Sequence, residues 1–176
     1  MVDTSIPYQI VIFTQHHSIA GGLFLHDQRV SDFLNDRRET TITLRNASLA
    51  RLEEPARILE KALFSVIPKD GIVLAFEPPQ KAAPPGRRFI KYPKQKYDVF
   101  LATDGMEVHG LLNLPGPLDL RHAITNAAVL FLPIIKATVT LQANPALILK
   151  RDTVLVNVQR IRFLGEAEPK TPEPEK

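Results

Sequence analysis

Ile19 to Asn35, IAGGLFLHDQRVSDFLN, reads as a strand, a polar turn and one turn of helix. Ser18 to Leu25 reads as a strand, and the helical turn opens at Ser31. Ser31 is the expected N-cap, with Asp32 in the first turn, where the helix dipole favours an acid. The same pattern returns as Val108 to Asn126, VHGLLNLPGPLDLRHAITN, with Gly21 falling on Gly110, Leu23 on Leu112 and Leu25 on Leu114. Asp119 is the expected cap of the second helical turn. This echo decides the architecture, because a fold written twice is a tandem repeat.

Outward from the echo the two copies continue to match. Tyr8 to Thr14 (YQIVIFT) is dense in β-branched and aromatic residues and short enough for a strand; Val99 to Leu114 holds its counterpart and the next strand. Between the latter two strands Asp104-Gly105 signals a tight hairpin, since Gly accepts positive φ. The paired Gly21 and Gly110 predict a bulge or a close backbone crossing where a strand bends. Thr40 to Arg45 alternates as a third strand, and a further short strand opens at Ala47-Ser48-Leu49. Arg51 to Lys61, interrupted by Pro55, reads as a loop or single helical turn. Ala62 to Ile67 and Ile72 to Glu77 read as a hairpin about Pro68-Lys69-Asp70-Gly71, echoed by Thr153 to Val158 and Arg160 to Leu164.

The sequence therefore predicts an all-β protein of two tandem small barrels, each with one short helical turn. Residues 1–77 form the first repeat, 78–96 a Pro-rich and then basic linker, 97–164 the second repeat, and 165–176 a disordered tail. The chain has 176 residues, 44% of them hydrophobic, a net charge of +3 and no cysteine. Disulfide and thiolate chemistry are excluded, and a reducing, cytoplasmic location is the expectation. No apolar run is long enough for membrane insertion, and the N-terminus lacks a signal-peptide pattern.

Chemistry-bearing patterns are sparse. His16, His17, His26, Asp27 and Asp32 lie near one another in sequence but lack the fixed spacing a metal needs, so no metal site is expected. No nucleophile elbow, phosphate-cradling Gly loop or H-E-x-x-H occurs, so neither enzyme activity nor a cofactor is expected. Arg29, Asp32 and Asn35 have no matching polar set in the second repeat, which makes them a candidate site for a partner or an anion. The segment Arg87 to Lys96, RRFIKYPKQK, offers Arg87, Arg88, Lys91, Tyr92, Lys94 and Lys96 as candidate nucleic-acid contacts, through phosphate charge and base stacking. Arg45-Asn46-Ala47-Ser48 resembles part of the D/N-x-S-x-x-G motif of PilZ cyclic-dinucleotide receptors, but Arg51 stands where the glycine belongs and the R-x-x-x-R loop is missing.

The run Arg29-Val30-Ser31-Asp32-Phe33-Leu34-Asn35, after its strand, resembles the R-[LV]-S-D-F-L-N signature of an uncharacterised family of small bacterial β proteins. Ser65 to Ile72 resembles that family's closing hairpin, with Pro68 a departure. The resemblance covers residues 8–77 well and 97–164 as a degenerate copy. It implies Sm- or SH3-like barrels and carries no established activity. The expected function is a non-enzymatic protein-interaction or scaffolding module that binds a protein partner or itself; RNA or single-stranded nucleic-acid binding through residues 87–96 is the alternative, and a PilZ-type second-messenger receptor a lesser one.

Overall fold

Alternating apolar residues and short turns make this an all-β chain. The structure is a computed structural model describing residues 7–25, 28–76 and 94–168. The expected Pro-rich linker through residue 93 and the tail from residue 169 lie outside the described residues. The first half contains β1 (Tyr8–Phe13), β2 (His17–Leu23), α1 (Val30–Asn35), β3 (Thr41–Arg51), β4 (Ile58–Pro68), a 3-10 turn (Lys69–Gly71) and β5 (Leu74–Phe76). The second half repeats the order: β6 (Gln95–Thr103), β7 (Met106–Leu114), α2 (Leu120–Thr125), β8 (Phe131–Leu141), β9 (Asn144–Asn157), a 3-10 turn (Val158–Arg160) and β10 (Ile161–Glu166).

All ten strands join one antiparallel sheet in the order β10-β6-β7-β8-β9-β5-β1-β2-β3-β4. The ladder is linear. Among the described residues its edges are β10 and β4, and the halves meet where β5 pairs with β9.

Several local expectations hold. The registers shift between Ala20 and Gly22 and between His109 and Leu111, so both paired glycines sit at bulges. A Cβ on Gly110 would lie 2.6 Å from Ile134 Cγ2 and 2.8 Å from the Ile135 carbonyl oxygen, a crossing only glycine allows. Asp104-Gly105 makes the β6–β7 turn, with Gly105 at φ 86°. Asp119 caps α2, accepting from the His122 N–H at 2.8 Å.

Others are corrected. The residue at the N-cap of α1 is Arg29, and no side-chain cap bond forms there among the described residues; Ser31 lies two residues past the cap position, too deep to reach the orphan N–H groups. β3 does not stop near Arg45. Asn46 takes φ 48°, which absorbs the irregularity, and the strand continues to Arg51. β4 opens at Ile58, because Lys61, Glu60 and Ile58 all find partners on β3. Pro68 to Gly71 is not the turn of a hairpin: the 3-10 turn carries the chain away from β4, and β5 pairs with β1 and β9 instead. At the second half's ends, β6 opens at Gln95, where pairing with Leu114 holds it. β10 runs to Glu166, so Gly165 and Glu166 are strand residues, not tail.

The buried side chains form two clusters that trade members. The first-half cluster, built on Ile10, Ile12, Leu34, Ile42 and Leu44, includes Phe131 and Leu155 from the second half. The second-half cluster, built on Leu101, Met106, Val108, Ile134 and Val139, includes Phe13, Leu52, Val73, Leu74 and Phe76 from the first.

Candidate functional site

The seam between the halves is where polar and apolar features concentrate. Leu74 stands opposite Val156, and Ala75 opposite Leu155. All four are buried, with Leu74 and Val156 in the second-half cluster and Ala75 and Leu155 in the first. The Asn157 N–H donates to the Val73 carbonyl at 2.9 Å, and its side-chain amide donates to the Ile72 carbonyl at 2.8 Å and the Lys69 carbonyl at 3.3 Å. At the far end of the seam the Asn144 amide donates to the Glu53 carbonyl. The Arg151 guanidinium lies 4.8 Å over the Phe76 ring.

Asn35, at the end of α1, is the strongest polar link between the halves. Its Oδ1 accepts from the Leu130 and Phe131 N–H groups at 2.7 and 2.9 Å, and its Nδ2 donates to the Phe131 carbonyl at 3.2 Å and the Ser31 carbonyl at 2.9 Å. The other two members of the predicted set are placed differently. Arg29 is exposed at the helix entrance and Asp32 is exposed in the first turn, while Asn35 turns inward to the seam.

Lys69 is buried beside the seam. Its ammonium donates to the Phe33 and Asp36 carbonyls at 2.7 and 2.9 Å and lies 4.8 Å over the Phe33 ring. Desolvation pushes its pKa down, and the carbonyls that end α1 hold the cation in place. Next to it the Arg38 guanidinium hydrogen-bonds Asp36 and draws its carboxyl down to about 2. Across the molecule Arg162 grips Asp104 with two bonds of 2.8 Å and lowers its pKa as well. A cleft of about 400 Å³ opens between the halves, lined by Arg37, Thr40, Lys69, Phe131, Asn157 and Gln159 among others.

The remaining predicted residues are spread out. Lys94 and Lys96 are exposed, Lys96 on β6; Arg87, Arg88, Lys91 and Tyr92 lie outside the described residues, as do His26 and Asp27. Among the described residues no group of acidic and histidine side chains converges to hold a metal, and no helix is long and apolar enough to cross a membrane. Arg45, from the PilZ-like stretch, is stacked between Phe24 and Phe64 at 4.6 and 5.2 Å.

Sequence reasoning anticipated self-association through exposed strand edges but did not identify which strand is the apolar edge. β4 exposes Ile58, Leu59, Leu63, Phe64 and Val66, and β10 exposes Phe163. The available signal was the continuous run Ala62 to Ile67, ALFSVI, which is the composition of a strand covered on both faces.

Fold and seam define the class: an open antiparallel sheet of two like-ordered halves, with polar links at an internal strand junction and apolar free edges. Comparison with known proteins finds no matching family model, no matching curated protein and no matching solved structure.

Proposed function

We propose that this protein is a non-enzymatic interaction or scaffolding module made of two tandem Sm/SH3-like barrels, and that it binds through its free strand edges. The observation that carries this reading is the set of exposed apolar side chains on β4, which is an edge strand of the sheet among the described residues. Edge strands exposed to water are ordinarily short, charged or covered, because an apolar one templates pairing with another chain. β4 is eleven residues long, and Leu63 and Val66 are 76% and 65% exposed. Strand addition joins backbone hydrogen bonds to side-chain burial, which suits this surface. The test replaces Leu63 and Val66 together with Glu. Loss of partner capture and of any oligomer, with the circular dichroism spectrum unchanged, is the expected result; retention of both sinks the reading.

A second reading, single-stranded nucleic-acid binding, is favoured by the exposure of Lys94 and Lys96 where β6 opens. It predicts salt-sensitive binding of mixed oligonucleotides that weakens when Arg87, Arg88, Lys91, Lys94 and Lys96 are neutralised. Absence of binding at low salt removes it.

A further inference from the structure

The two free edges of the sheet are the counterparts of the two strands that already pair at the seam. Aligning the 3-10 turns, Lys69 on Val158, places Phe163 on Leu74 and Leu164 on Ala75. The flanking ladders agree: Leu74 faces Phe13 and Ala75 faces Ile12, as Phe163 faces Ala102 and Leu164 faces Leu101. The same alignment puts Ile67 on Val156 and Val66 on Leu155, and the ladders place them alike, since Ile42 and Leu132, each the second residue of its strand, face Ile67 and Val156.

The geometry points to head-to-tail self-association, in which β10 of one copy adds to β4 of the next with Phe163 opposite Ile67 and Leu164 opposite Val66. This rests on the edge-binding reading and names the partner: a second copy of this chain.

The seam shows what such a junction does with these positions. Leu74 and Val156 enter one cluster and Ala75 and Leu155 the other, so each strand hands side chains to both cores. At the outer edges half of that exchange is already in place, because Ile67 belongs to the first-half cluster and Leu164 packs against the second. The two side chains left over are Phe163 and Val66, 57% and 65% exposed. They fall where a neighbouring copy would cover them.

The outer junction is weaker than the inner one for stated reasons. Asn157 is replaced by Pro68, which has no N–H to donate, and Asn35 by Thr125, which cannot make the amide's paired bonds. Association is therefore reversible and concentration-dependent. Unlike surfaces meet, so copies add in one direction, closing a ring where the rotation allows and otherwise extending a filament.

The chain has no cysteine, so introduced thiols report one geometry only. Val66→Cys and Leu164→Cys proteins, mixed and mildly oxidised, are expected to cross-link at least about tenfold more than the slipped pair Leu63→Cys and Leu164→Cys. By light scattering the wild-type mass rises with concentration, while Phe163→Lys stays at one chain with its unfolding midpoint kept. Equal cross-linking of the slipped pair, or Val66→Cys pairing with itself as efficiently, overturns the proposal. So does a wild type that stays monomeric: if its β4 edge still captures a different protein, edge binding survives and self-association fails, and if it captures nothing, both fail.

Discussion

β5 and β10 occupy equivalent places after equivalent 3-10 turns, yet they have opposite surroundings. β5 has β1 on one side and β9 on the other, and all three of its residues are buried. β10 has β6 alone, and none of its six residues is fully buried. Identical local construction thus yields a core strand or an edge, depending on whether a second half is present to pair with it. Burial at these positions is a property of the junction and not of the strand.

The widest gap is expected when the matched residues are truncated. Leu74→Ala should cost about 2–5 kcal/mol, since it opens a cavity in the second-half core, where this first-half side chain is fully buried. Phe163→Ala should stay within about 0.5 kcal/mol for the dilute chain. Denaturant unfolding measures both, and equal costs would break the comparison. The polar links come next. Asn35→Ala should cost about 1–3 kcal/mol, because it strands the Leu130 and Phe131 N–H groups at the seam, while Thr125→Ala should lie near the noise. At the helix starts Asp119→Ala should cost about 1 kcal/mol through loss of a cap, and Ser31→Ala, which caps nothing, much less. The smallest effect is in acid. Asp36 has a folded pKa of about 2 against 3.8 ordinarily, so its contribution to stability is present above pH 4 and is lost as pH falls through 2. Asp36→Asn should flatten that part of the stability profile; an unchanged acid limb would show that the Arg38 pair is idle.

Features set by neighbours in sequence were legible: the Gly21 and Gly110 bulges, the Asp104-Gly105 turn, the Asp119 cap and the strands around them. Features set by distant partners were not. Ile72 to Glu77 reads as a strand and holds β5, but nothing in Leu74-Ala75-Phe76 tells which strands will flank it. Lys69 sits in a stretch with turn chemistry, and its burial depends on carbonyls at the end of α1, thirty-six residues away for Phe33. Asn35 stood out as polar and unmatched, but its bonds to Leu130 and Phe131 span about 95 residues, beyond any local pattern. Ser31 misled because cap choice turns on which residue leaves helical geometry, and that residue is Arg29.

The exchange of side chains across the seam also sets an order of events during synthesis. Ile72 receives its bond from Asn157, 85 residues later in the chain. At ribosomal rates of about 5–20 residues per second, the first half waits roughly 4 to 17 s for that partner. During the wait Leu74 and Phe76 lack the strand that covers them, and β5 is itself an open edge. Until β9 emerges, the positions of β5 that pair with it have no partner strand among the described residues of the first half.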